Sequence, residues 1–120
     1  MIVTIEKTKA VKEALIEAKE LAEEHQHYQL DIPHVWSALV QLNHFAYDFY
    51  ESLQVDMNEL VQLINEEVNK ISVLSGTDLV YGEKQSPRLA RLIKEAEKEA
   101  DNLRDSFVTI EHFILALCEQ

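Results

Sequence analysis

Glycine and proline are almost missing from this chain of 120 residues, which has two of each. So few turn residues, beside many Ala, Leu, Glu and Lys, point to long helices. Cysteine is reduced to Cys118. That excludes an intrachain disulfide and a cysteine-based zinc site, and it fits a reducing, cytoplasmic home. Cys118 follows Leu117 in an apolar stretch and reads as a small core hydrophobe, not a nucleophile. Basic residues are scarce as well, 11 against 22 acids, for a net charge of -11. Residues 1–40 hold 4 bases and 7 acids, 41–80 hold 1 and 7, and 81–120 hold 6 and 8. With no basic third, nucleic-acid binding by phosphate neutralisation is not expected. The acidity serves solubility, or a surface that meets cationic, partly apolar ligands. No apolar run approaches the roughly 18 residues of a membrane span, and no basic start followed by an apolar stretch marks a secretory signal. The only glycines, Gly76 and Gly82, are not followed by Lys-Ser or Lys-Thr. The phosphate-cradling P-loop is therefore absent, and nucleotide hydrolysis within these residues is excluded.

What is present is a repeat. Thr8 to Leu39 recurs without gaps, 78 positions on, as Ser86 to Leu117. Glu17 falls on Glu95, Ala18 on Ala96, Ala22 on Ala100, Ile32 on Ile110, His34 on His112, Ala38 on Ala116 and Leu39 on Leu117. One small helical unit has been used twice. With 47% apolar residues the chain can bury an ordinary core.

Within the first unit Thr8 is a good N-cap for a helix with Val11, Ala14, Leu15, Ala18, Leu21 and Ala22 on one face. That helix runs out near His25 to Tyr28. Asp31 caps a second helix, with Pro33 tolerated in its first turn and Ile32, Val35, Trp36 and Leu39 buried. Asn43 is the expected cap of a third helix bearing Phe45, Phe49 and Leu53. Asp56 with Glu59 opens a fourth, striped by Met57, Leu60, Val61, Ile64, Val68 and Ile71. The period then stops. Residues 72–85 read as a connector, anchored on the surface by Val73, Leu74, Leu79, Val80 and Tyr81. Ser86 and Pro87 restart the pattern, with Leu89, Leu92, Ile93, Ala96, Ala100 and Leu103 as the stripe. Thr109 caps the last helix, whose buried face is Ile110, Phe113, Ile114 and Leu117. The expectation is an all-α, pseudo-two-fold repeat of a four-helix unit in a single domain, 1–120. Repeat one covers 8–71, and repeat two, 86–120, is cut short before its third helix.

Candidates for chemistry are few. Glu24 and His27 form a Glu-x-x-His, but its repeat partner is Asn102–Asp105, which cannot complete a di-iron site. No metal site is expected. His34 and His112 follow the caps Asp31 and Thr109 by three residues and read as repeated capping contacts. Glu111 lies in a first helical turn, where the helix dipole favours an anion. With Asp105 it sets two carboxylates at one loop.

The stretch Asp105-Ser-Phe-Val-Thr-Ile-Glu-His-Phe-Ile-Leu-Ala-Leu117 resembles the signature of the Clp N-terminal repeat family. Leu30-Asp-Ile-Pro-His-Val-Trp-Ser-Ala-Leu39 is similar to it more loosely. The connector Val73-Leu-Ser-Gly-Thr-Asp-Leu-Val-Tyr-Gly82 and the loop around Asp105 look more like the disaggregase group of that family than its protease-coupled members. The resemblance implies an all-helical pseudo-dimer at the N-terminus of a hexameric AAA+ ATPase. In that setting it engages unfolded or aggregated polypeptide and passes it toward the central pore. It implies no catalytic site and no cofactor in this domain, with ATP bound elsewhere in the parent chain. Its substrate-contact positions carry over onto Thr8, Asp105 and Glu111. Ile93 matches the family's apolar groove, while Glu95 and His112 stand where Leu is common and make the groove more polar. Pro33 opposite Glu111 removes the symmetric pair of sites used to read phosphoarginine. The alternative is an adaptor-docking domain of a protease-coupled unfoldase, with a folded adaptor or chaperone as partner. Neither reading implies nucleic acid or membrane as a partner.

Overall fold

The computed structural model describes residues 6–41, 45–73, 80–105 and 107–118. Among the described residues six helices carry the fold: α1 Lys9–Glu24, α2 Ile32–Leu39, α3 Phe45–Ser52, α4 Met57–Asn69, α5 Pro87–Asn102 and α6 Ile110–Cys118. Short polar side chains start them where expected. Thr8 Oγ1 accepts from Val11 N–H, Asp56 Oδ1 from Glu59 N–H, and Ser86 Oγ from Leu89 N–H, each satisfying a donor that has no partner within its helix. Asp31 opens α2 in a reciprocal capping box with His34. Asn43 lies outside the described residues, as do Leu74, Leu79 and the side chains of Phe45 and Cys118.

Among the described residues four two-residue strands, which helical periodicity does not announce, tie the units together. They are β1 Glu6–Lys7, β2 Gln29–Leu30, β3 Lys84–Gln85 and β4 Phe107–Val108. β1 pairs in parallel with β4, and β2 in parallel with β3. The strand leading into each unit's first helix therefore pairs with the other unit. Thr8 N–H donates to Val108 O at 3.0 Å and Ser86 N–H to Leu30 O at 2.9 Å, the same bond at the 78-residue offset.

α1 packs on α2, and α5 on α6. Small residues allow the close approach: Ala14, Ala18 and Ala22 on α1, and Ala96 and Ala100 on α5, are all buried. They join Val11, Val35, Leu39, Leu89, Leu92, Val108 and Phe113 in one core shared by both units. A second cluster, Val40, Met57, Ile64 and Val68 with Trp36, seats α4 on α2. Sequence periodicity places Leu53 and Leu103 in buried stripes. Both are exposed, because α3 ends at Ser52 and Leu103 is the C-cap of α5, where the chain is already turning away. The connector is also held differently from expectation. Of the expected anchors among the described residues, Val73 and Val80 are exposed and Tyr81 is half-buried, and the backbone docks as well: Val73 bridges His27, and Gly82 N–H donates to His27 O at 3.0 Å. Gly82 has φ +74°, and a Cβ there would meet Ala22 Cβ at 3.1 Å, so only glycine lets the connector lie this close to α1.

Candidate functional site

Each unit has a corner where its first helix turns into its second, and the two corners share one design. α1 closes with His27 N–H donating to Ala22 O, and α5 with Asp105 N–H donating to Ala100 O, both at 2.9 Å. Between helix and strand, Gln26 and Arg104 adopt left-handed backbone, φ 57° and 58°, at a cost of about 1–2 kcal/mol for a residue with a Cβ. His34 Nδ1 accepts from Asp31 N–H at 2.9 Å, and His112 Nδ1 from Thr109 N–H at 2.8 Å. Because the backbone group can only donate, each imidazole must carry its proton on Nε2. That proton points at the residue seven positions back. In the second corner it meets Asp105 Oδ2 at 2.8 Å, and in the first it meets His27 Nδ1 at 2.8 Å. The repeated capping role of the two histidines is thus present, with different partners beyond it.

The second corner holds three of the four candidate contact residues. Thr8, half-buried, reaches it through the β1–β4 pairing. Asp105 is exposed at the turn, with its carboxylate oriented by His112, and Glu111 is exposed in the first turn of α6. Neither carboxylate has a Lys or Arg partner among the described residues. Ile93 is not with them on the surface. It is 9% exposed and belongs to the shared core. His112 is only 2% exposed and is occupied by its cap and Asp105, and Glu95 is half-buried. The apolar surface flanking this corner is instead Leu103, 57% exposed, and Phe107, 51% exposed. Helical spacing assigns Leu103 inward, and nothing in the sequence marks Phe107 as outward, because a two-residue strand is too short to display alternation.

The first corner is chemically different. Asp31 accepts from Ser86 Oγ at 2.7 Å, and from Arg88 Nε and Nη2 at 2.7 and 2.8 Å. Burial pushes its carboxyl upward, but the Arg88 guanidinium, the Ser86 hydroxyl and the Ile32 amide together hold it below the ordinary carboxylate value. The N-caps of α2 and α5 are thereby joined across the unit boundary. Position 33, opposite Glu111, is a buried proline. The acid at this corner is neutralised from within the chain, whereas those of the second corner remain open. Glu24 is exposed while His27 is turned to His34, so this pair does not converge. Among the described residues no group of three or more His, Cys, Asp or Glu is placed to hold a metal ion.

A duplicated helix pair, strand-exchanged and capped by matching histidines, defines a class of two-fold repeat domain. The family model described as "Clp repeat (R) N-terminal domain" matches residues 6–120, and the chain belongs to that family. It is 36% identical over 112 residues to the ClpB chaperone of Lactococcus lactis, and 31% identical over 110 residues to that of Enterococcus faecalis. These matches cover 93% and 92% of this chain but only 13% of either chaperone. Among solved structures, the Hsp104 N-terminal domain of Candida albicans superposes with a TM-score of 0.81 at 21% identity, covering 93% of this chain and 73% of that one. The N-domain of ClpV from Vibrio cholerae gives 0.76 at 21% identity, over 92% and 65%. The latter two establish likeness of fold.

Proposed function

We propose that this domain is the substrate-engaging N-terminal part of a ClpB-like AAA+ chaperone, capturing unfolded or aggregated polypeptide and delivering it to the ATPase pore. The observation that carries this reading is the asymmetry of the two corners. At the second, Asp105 and Glu111 lack a Lys or Arg partner among the described residues, beside exposed Leu103 and Phe107, while the first is closed by Arg88. Exposed apolar side chains beside solvent-facing carboxylates suit weak, reversible capture of segments that mix apolar residues with Lys or Arg. Thr8 adds a hydroxyl at the same edge. ATP binding and hydrolysis belong to other modules of a cytoplasmic parent hexamer, and this domain contributes binding alone.

The test is solution binding of reduced, carboxymethylated α-lactalbumin, a permanently unfolded probe. Asp105→Ala and Glu111→Ala should each weaken binding about twofold to fivefold at low salt, the effect of an exposed charge contact. Unchanged affinity in both sinks the assignment.

A groove between α1 and α2 favours a second reading, docking of a folded adaptor. It encloses about 410 Å³ and is lined by Glu17, Glu20, Leu21, Glu24 and Ala38, a fit for a basic, partly apolar surface. Glu17→Lys and Glu20→Lys would then abolish binding of a folded adaptor and leave the unfolded probe unaffected.

A further inference from the structure

The two corners differ at one buried position: His27 in the first stands where Asp105 stands in the second. We infer that the His27–His34 hydrogen bond is an acid-labile lock on the first corner, and that the equivalent His112–Asp105 lock stays closed over the same pH range.

Proton counting carries the argument. Asp31 N–H donates to His34 Nδ1, and His34 Nε2–H donates to His27 Nδ1. Both acceptor nitrogens facing this chain are in use. An added proton on His34 Nδ1 faces the Asp31 N–H, and one on His27 Nδ1 faces the His34 N–H. Either placement sets two donors against each other. Moving the existing proton offers no escape, since a neutral His34 without Nε2–H must carry Nδ1–H against the same amide. The new cation would also be buried, because His27 is 1% and His34 0% exposed. The ionisable groups that act on the pair are His25 and Asp31. The His25 ring stacks on His27 at 5.3 Å and adds repulsion once charged. The Asp31 carboxylate attracts, but it is already engaged by Ser86 and Arg88. Burial, then His25, holds His27 below its ordinary value. Burial, then His27, brings His34 down to about 4, against the opposing pull of Asp31. The second corner shares the backbone donor at Nδ1, Thr109 N–H, and differs at the other end of the imidazole: His112 Nε2–H meets a carboxylate, which has no proton to set against it, and Thr109 Oγ1 lies 3.1 Å from Nδ1 as a further acceptor.

The sign follows. The histidines bind a proton more weakly when folded, so the unfolded chain takes it up first, near the ordinary value of 6.5. The stabilisation is complete above that value and drains away as pH falls toward about 4. What the lock holds is the docked connector and the β2–β3 ladder. His27 O receives Gly82 N–H, His27 bridges Val73, and Leu30 O receives Ser86 N–H.

Hydrogen exchange on the whole chain tests this. After correction for intrinsic rates, the Gly82 and Ser86 amides should lose about tenfold or more in protection from pH 7 to about 4.5, while Thr8, the matching amide of the other corner, changes little. His27→Asp copies the second corner and should abolish that loss. Equal losses at both corners, or an undiminished loss in His27→Asp, overturn the inference. Ring titration of the wild-type chain by NMR is the second measurement, should the variant not fold. His27 and His34 must both titrate below 6.5, and an ordinary titration of either refutes the lock.

Discussion

Removing the Arg88–Asp31 pair should loosen the junction between the units at one corner and leave the other untouched. The perturbation is a double-mutant cycle of Asp31→Asn and Arg88→Met. Asparagine keeps the N-cap geometry, and methionine keeps an apolar stem, so the cycle reads mainly the charge contact. Two charge-assisted hydrogen bonds of 2.7 and 2.8 Å join the pair. Contacts of this kind reach about 1.5–3 kcal/mol when well shielded. The Asp31 side chain is 14% exposed but that of Arg88 is 50% exposed, so solvent screening reduces the expected coupling to about 1–1.5 kcal/mol. Urea unfolding followed by the fluorescence of Trp36, the single tryptophan, measures it. Trp36 packs between α2 and α4 with its indole N–H buried and unpaired among the described residues, so its emission should shift strongly on unfolding. The carboxyl of Asp31 sits below its ordinary value of 3.8 when folded. The coupling should therefore persist above that pH and vanish as the carboxyl is protonated below it. At the second corner the matching positions are Thr109 and Ala10, so Thr109→Ala should cost only the hydroxyl contact with His112 Nδ1, about 1 kcal/mol, and add independently to Arg88→Met. A coupling between Asp31 and Arg88 below about 0.3 kcal/mol, within the scatter of independent sites, would mean that the pair does not fasten the units together.

Other outcomes follow from the close contacts. Gly82→Ala should cost about 2 kcal/mol in urea unfolding, combining a left-handed φ with a Cβ 3.1 Å from Ala22 Cβ and 3.2 Å from Lys19 O. A neutral result would mean that the connector shifts off α1 without loss. Ala18→Leu, at a site with no exposure, should lower stability by about 1–3 kcal/mol through overpacking. A thermal midpoint equal to that of the parent would show slack where α1 meets the core.

Helices with strong stripes and polar caps were legible from the chain alone. Thr8, Asp31, Asp56, Ser86 and Thr109 all precede helices, since cap and periodicity are local properties. The capping histidines were legible for the same reason, with donor and acceptor only three residues apart. The strand exchange was not, because its partners lie about a hundred and about fifty residues apart and its elements are too short to show a period. Ile93 shows a related limit. Its spacing places it on an apolar face, but whether that face is an open groove or a core depends on what packs over it, and here it lies within the shared core. Asp105 and Glu111 were legible as a pair at one loop. Phe107 and Leu103 beside them depended on where a helix ends and a strand begins, boundaries that shift by a residue or two without changing the pattern.

The β1–β4 pairing has a consequence for biosynthesis. Glu6 and Lys7 pair as a strand with Phe107 and Val108, so the earliest of these residues to leave the ribosome must wait for the latest. Until then α1 can form but cannot be fastened at its leading end, and a nascent first repeat carries an unpaired strand and an apolar helix face. A stalled chain ending before residue 107 should remain protease-sensitive near Thr8 while one extended past α6 is protected. Fastening of the first helix thus waits on the last one described.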